Sequence, residues 1–188
     1  MPHKTIALEE LKDIPSLPRG SHIALLQKCT VAFDSQGFCS GLILLVECQE
    51  TLADNQVSLK EAFVKLIWQD PVDEVLRLSH ADLNESVEDS AKALAMLLIS
   101  TLTPYKIGRQ SPRGSHIDYY LVDADAELPF QVPDTAGLEF TGILSGIDEV
   151  RGRIKQKRDR LHKVRDFPTY IVCVEHSFPL ARIERVEP

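Results

Sequence analysis

Apolar residues fall along the chain in runs whose spacing changes from segment to segment, and those changes mark the expected elements. Ile6, Leu8, Leu11 and Ile14 recur at helical spacing, so Thr5 to Ile14 is expected as a short amphipathic helix ended by Pro15 and Pro18. Arg19-Gly20-Ser21-His22 then reads as a turn. Beyond it, the apolar stretch Ile23 to Leu26 leads into Cys29 to Phe33, which alternates as a strand. Asp34-Ser35-Gln36-Gly37 is a turn signal, and Phe38 to Cys48 follows as a second strand with a wholly apolar middle, Leu42 to Val46. The two predict a β-hairpin, with Glu50 to Gln56 as a polar connection after it. Val57 to Trp68 fits two templates. Leu59, Phe63, Leu66 and Ile67 suit a helix, whereas Phe63 to Trp68 suits a strand, and the stop at Asp70-Pro71 favours a strand at the end. Val72 to Asn84 is polar and irregular, with one helical turn around Val75.

The second half is more regular. Ala91, Leu94, Ala95, Leu98 and Thr101 predict a helix from Ala91 to Leu102. Glu85, Glu88 and Asp89 lie at its start, where the helix dipole favours acids, and Pro104 ends it. Tyr105 to Gln110 reads as a strand, Ser111 to Gly114 as a turn, and His116 to Val122 as the next strand. Alternation puts Ile117, Tyr119 and Leu121 on one face of that strand and His116, Asp118 and Tyr120 on the other. After a loop from Asp123 to Pro133, Gly137 to Leu144 is a strand with Leu138, Phe140 and Gly142 on one face and Glu139, Thr141 and Ile143 on the other. Asp148 or Ser145 caps a helix from Glu149 to Lys163. Its Val150, Ile154 and Leu161 share one face; Arg151, Lys155, Arg158 and His162 share another, and Phe167-Pro168 closes it. Thr169 to Val174 is a near-continuous apolar run of the kind buried inside a sheet, and Ser177 to Pro188 is a short amphipathic tail.

These elements predict an α+β fold, a mixed β-sheet with flanking helices. A single domain, 1–188, is expected: residues 1–80 form an N-terminal helix and β-hairpin unit, 85–176 the core and 177–188 the tail. Pro18-Arg19-Gly20-Ser21-His22-Ile23 recurs letter for letter at Pro112 to Ile117. The flanks differ, so the match is not a domain repeat; it is either coincidence or a shared turn leading into a strand.

Composition narrows the class. An apolar fraction of 44% and a charged fraction of 26% are those of an ordinary globular chain. No apolar run reaches the roughly 18 residues of a membrane span, and the acidic start is unlike a secretory signal. No membrane association and a cytoplasmic location are therefore the expectations. The four cysteines form no C-x-x-C pair and read as small buried hydrophobes. A net charge of −7 argues against casual adhesion to nucleic acid. Its distribution is uneven: Arg151 to Arg165 holds eight basic residues and one acid, Asp159, while acids dominate from Glu47 to Asp89.

Asp118 and Glu139 each place a carboxylate in an apolar strand pattern, which is costly unless the group faces water, is paired or holds a metal. The order helix, three strands, helix, strand, with one acid on the second strand and one on the third, resembles the PD-(D/E)xK nuclease superfamily, the restriction-endonuclease-like fold, over residues 85–176. The resemblance implies an αβββαβ core in which Asp118 and Glu139, with Glu88 as an additional helical acid, hold Mg²⁺ for phosphodiester hydrolysis. The family's lysine would stand two residues after the second acid, where this chain has Thr141. Some members carry it on the following helix, which points to Lys155 or Lys157, and Lys155 is taken as the catalytic position. Arg151, Lys155, Arg158 and His116 are the expected nucleic-acid contacts.

The implied function is that of a divergent metal-dependent nuclease-like protein in DNA processing or defence against foreign DNA. The alternative is a non-catalytic interaction or scaffolding subunit, its partner another protein or further copies of itself. In that case the two acids face solvent or pair with helix arginines, and the basic helix is a solvated face. Ser21, Ser115 and the cysteines show no nucleophile context with a positioned base, which argues against a hydrolase triad, and Gly137-x4-Gly142 lacks the Lys-Ser/Thr of a phosphate loop.

Overall fold

The computed structural model describes residues 4–51, 57–126, 133–161 and 167–188. Its elements, in chain order, are β1 (Lys4–Ala7), a 3-10 helix (Leu8–Asp13), α1 (Ser21–Asp34), β2 (Ile43–Thr51), β3 (Val57–Ile67) and α2 (Glu74–Ser79). There follow α3 (Leu83–Leu102), β4 (Tyr105–Gln110), β5 (Tyr119–Asp123), β6 (Ala136–Ile143), α4 (Ile147–Leu161), β7 (Thr169–Glu175) and β8 (Leu180–Val186). Among the described residues the strands form one eight-stranded mixed sheet in the order β1-β3-β2-β8-β7-β6-β5-β4. The fold is α+β.

The sheet separates two apolar clusters. On one face the 3-10 helix, α1 and α3 bury Leu8, Leu11, Phe33, Leu94 and Leu98 against Leu44, Val46, Leu66, Leu138 and Val172. α3 is apolar around most of its circumference because it is wedged between the sheet and α1, as its buried run from Ala93 to Ile99 shows. On the other face α4 lays Val150, Ile154 and Leu161 over Ile143, Ile171, Cys173 and Leu180. β4, β5 and β6 form an antiparallel meander, and β6 continues through α4 into β7, which pairs with it in parallel.

Several expectations are corrected. Cys29 to Phe33 is the last part of α1, not a strand. Leu25, Cys29 and Phe33 recur every four residues along one helical face, and the segment is buried on all sides, which hides the period. The hairpin is instead β2–β3, in register from Ile43↔Lys65 to Thr51↔Val57. Thr5 to Ile14 is not one helix: β1 pairs in parallel with the end of β3 before the chain tightens into the 3-10 turn. The tail contains β8, an interior strand parallel to β2 and antiparallel to β7. Its charges concealed it, since Arg182 is neutralised by Glu47 and Glu184 by Arg158. Of the expected last helix, His162 and Lys163 lie outside the described residues, as do most of the Glu50–Gln56 connection and part of the Asp123–Pro133 loop.

The repeated hexapeptide shares its turn and nothing more. In both copies the serine N–H donates to the proline carbonyl, Ser21 to Pro18 at 3.0 Å and Ser115 to Pro112 at 3.3 Å. In both the glycine between them is left-handed, φ 84° at Gly20 and 89° at Gly114. The first turn starts helix α1, however, and only the second precedes a strand.

Candidate functional site

The meander ends unevenly, and the unevenness makes the site. β5 pairs with β6 from Leu121↔Ala136 to Tyr119↔Leu138. Further along β6 the ladder is continued by side chains. Asp118 donates its N–H to the Leu138 carbonyl at 2.8 Å, and its Oδ2 accepts the Phe140 N–H at 3.0 Å. One step on, Glu88 of α3 accepts the Gly142 N–H at 3.4 Å and the Thr141 hydroxyl at 3.3 Å. Backbone donors at a half-buried strand edge need acceptors, and two carboxylates supply them.

Glu139, just before those two donors on β6, meets α4. Its carboxylate receives the Lys157 ammonium from α4, and the pair is largely enclosed, with side-chain exposures of 13% and 16%. The Asp118 carboxylate is near enough for its charge to act on Glu139. Burial first, and the Asp118 charge second, push Glu139 up to about 7 against the opposing pull of Lys157. Near neutral pH Glu139 therefore exchanges a proton readily.

The Asp118 and Glu139 carboxylates are hard oxygen donors, and that donor set suits Mg²⁺, which takes one or two carboxylates and keeps several waters. The elevated Glu139 is the observation behind the fit, because a bound cation would stabilise the ionised form that burial disfavours. Glu88, expected as a third acid, is directed to Thr141 and Gly142, and among the described residues no group of three or more His, Cys, Asp or Glu converges on one point.

The remaining expected residues lie elsewhere. Lys155 is two positions from Lys157 on a helix of 3.6 residues per turn, so it occupies the opposite flank of α4. There it lines a groove with Arg151 and Arg158, and Arg158 reaches Glu184 at 2.9 Å. The cation at Glu139 is Lys157, and the structure does not bring Lys155 there. His116 is not in a strand beside Asp118. It is an exposed residue of the turn before β5, left-handed at φ 62°. That twist breaks the expected alternation, and Ile117 packs in the α4-side cluster while Tyr119 and Leu121 join the opposite one.

Sequence reasoning missed a buried polar chain on the other side of β6. His176 Nδ1 lies 2.9 Å from the Ile143 carbonyl, which makes that nitrogen the protonated one and leaves Nε2 to accept from the Ser90 hydroxyl at 2.8 Å. Ser90 Oγ is 3.3 Å from Cys29 Sγ, and the His176 ring tilts against Phe33 with centroids 4.8 Å apart. Burial holds His176 down to about 4 and raises the Cys29 thiol to about 12, so the chain is neutral and inert as a nucleophile. A serine of α3, a helix cysteine and a histidine after β7 carry no motif that links them in sequence; only the packing of α1 and α3 on the sheet joins them.

No protein-family model, curated protein or solved structure matches the chain.

Proposed function

We propose that the protein is a divergent metal-dependent nuclease-like enzyme acting on nucleic acid, with Asp118 and Glu139 as the Mg²⁺ ligands and Lys157 as the cation beside them. One observation carries this reading: Asp118 before β5, Glu139 on β6 and Lys157 on α4 meet at the end of the β5–β6 ladder. The order α3-β4-β5-β6-α4-β7, which is the order the resemblance implies, supports it. Lys157 fills the role for which Thr141 left the third strand without a lysine.

Magnesium, when bound, activates water and stabilises the charge that develops on a phosphodiester. The chain's own residues do the rest. Asp118 is oriented by the Phe140 N–H, so its free lone pairs keep a fixed direction. Glu139 exchanges its proton near neutrality, and Lys157 places an ammonium where negative charge collects. Arg153 and Arg160 lie four and three residues from Lys157 on the same flank of α4, and both are exposed to meet neighbouring phosphates.

The test is cleavage of duplex DNA, single-stranded DNA and RNA with Mg²⁺ or Mn²⁺ by the wild type, Asp118→Ala, Glu139→Ala and Lys157→Met. Cleavage by the wild type that falls to background in all three variants is the expected result. Equal activity, or equal inactivity, in all four proteins removes the catalytic claim. A second reading, a non-catalytic subunit of a larger assembly, draws on the structural employment of the same acids: Asp118 and Glu88 both serve as acceptors for the β6 edge. It is the reading that survives a uniformly inactive set.

A further inference from the structure

α4 packs on β6, β7 and β8, and beside it the same sheet face continues onto β2 and β3. The apolar residues there are exposed: Leu59 by 52%, Ile43 by 43% and Phe63 by 38%. Between this face and the flank of α4 runs a groove of about 400 Å³ lined by Leu59 and Ile154, with Arg151 and Lys155 as its basic edge and the Arg158–Glu184 pair beside them. A solvated charged helix needs no apolar floor. A phosphate chain would not favour one either, and Arg158 is already engaged by Glu184.

The matching shape is on the opposite side of the molecule. α2 rests on α1, held by the Arg77–Asp34 pair at 2.7 and 3.1 Å, and buries none of its residues. Val75 and Leu78, one helical turn apart, form a ridge in which each is 71% exposed. Asp73, at the helix N-cap, and Glu74 adjoin that ridge, and both are exposed. An apolar ridge edged with acids complements an apolar groove edged with bases in polarity and in sign. Because α1 and α4 lie on opposite faces of the sheet, ridge and groove cannot meet within one chain.

We propose that the α2 ridge of one copy docks in the α4-flank groove of a second copy, head to tail. Such an interface is heterologous: a docked pair keeps one ridge and one groove unused, so association continues into a ring or a short filament. A six-residue helix covers less than a standard interface, so the association is transient and depends on concentration.

The experiment is sedimentation equilibrium of the full chain from about 1 μM to about 500 μM, with two variants whose folds are checked by circular dichroism. The ridge variant is Val75→Asp with Leu78→Asp; the groove variant is Arg151→Glu with Lys155→Glu. The wild-type average mass should rise with concentration. Each variant alone should stay monomeric, and their mixture should form a dimer and stop there, because one intact ridge meets one intact groove. A wild type that remains monomeric throughout overturns the proposal. So does self-association that persists in either variant, a mixture that stays monomeric, or association that requires an added oligonucleotide.

Discussion

Gly142→Ala is expected to destabilise the protein by about 3 kcal/mol, at the upper end of what overpacking a core costs. A Cβ at this position would stand 2.4 Å from the Val87 carbonyl oxygen, 2.8 Å from its carbon and 2.6 Å from its Cγ1. The first two are backbone atoms of α3, so no rotamer change relieves the contact and the helix must move as a unit. It is clamped between the sheet and α1. The shift would also carry away Glu88, the next residue, from the Gly142 N–H it satisfies. Gly152→Ala is the control: this glycine lies on an exposed face of α4 with nothing within 4 Å of a new Cβ, and alanine there should stabilise by about 0.5–1 kcal/mol. Urea denaturation of the two variants measures both effects. A Gly142→Ala midpoint equal to that of the wild type would show that α3 does not approach β6 so closely.

Glu139→Gln and His176→Gln should tilt the pH dependence of stability in opposite directions, each by up to about 3 kcal/mol over its interval. The folded pKa of Glu139, about 7, lies above its ordinary value of 4.5. The folded state thus binds the proton more tightly than the unfolded chain, and this group's contribution improves as pH falls from 7 to 4.5. The folded pKa of His176, about 4, lies below its ordinary 6.5. Here the unfolded chain binds the proton more tightly, so the contribution is complete above 6.5 and lost as pH falls from 6.5 to 4. Between pH 4.5 and 6.5 the two oppose each other in the wild type. Removing Glu139 should expose the full acid sensitivity of His176; removing His176 should leave a protein that gains stability, relative to wild type, on acidification from pH 7. Guanidinium melts at half-unit pH steps read the difference between each variant and the wild type, in which the other carboxylates cancel. Parallel curves for all three proteins would mean that neither group is perturbed by burial.

The regular second half of the chain was the more legible. β4, β7 and the body of α3 and α4 follow from periodicity that tertiary packing reinforces. α1 was misread because five successive buried residues, Cys29 to Phe33, erase the contrast on which periodicity depends. β8 was misread for the converse reason: its charged residues are satisfied by Glu47 and Arg158, both distant in sequence. At the site, the two acids were visible as charges in apolar strands. Their proximity was not, because it depends on β5 starting only at Tyr119 and on the left-handed His116 before it. The choice between Lys155 and Lys157 did have a signal. Lys157 stands three residues after Ile154 and four before Leu161, so it borders the apolar stripe of α4, whereas Lys155 does not. The His176–Ser90–Cys29 chain had none.

The claim that Asp118 and Glu139 form a cation site has a direct test that does not depend on knowing the substrate. Mg²⁺ and, separately, Mn²⁺ are titrated calorimetrically into the protein at pH 6.5 in two buffers of different ionisation enthalpy. At that pH Glu139 is largely protonated and must lose its proton to become a ligand. One site is expected, with a heat that differs between the buffers because metal uptake releases a proton, and no binding in Asp118→Asn or Glu139→Gln. Binding that is unchanged in Glu139→Gln, or no binding of either cation by the wild type, would contradict it.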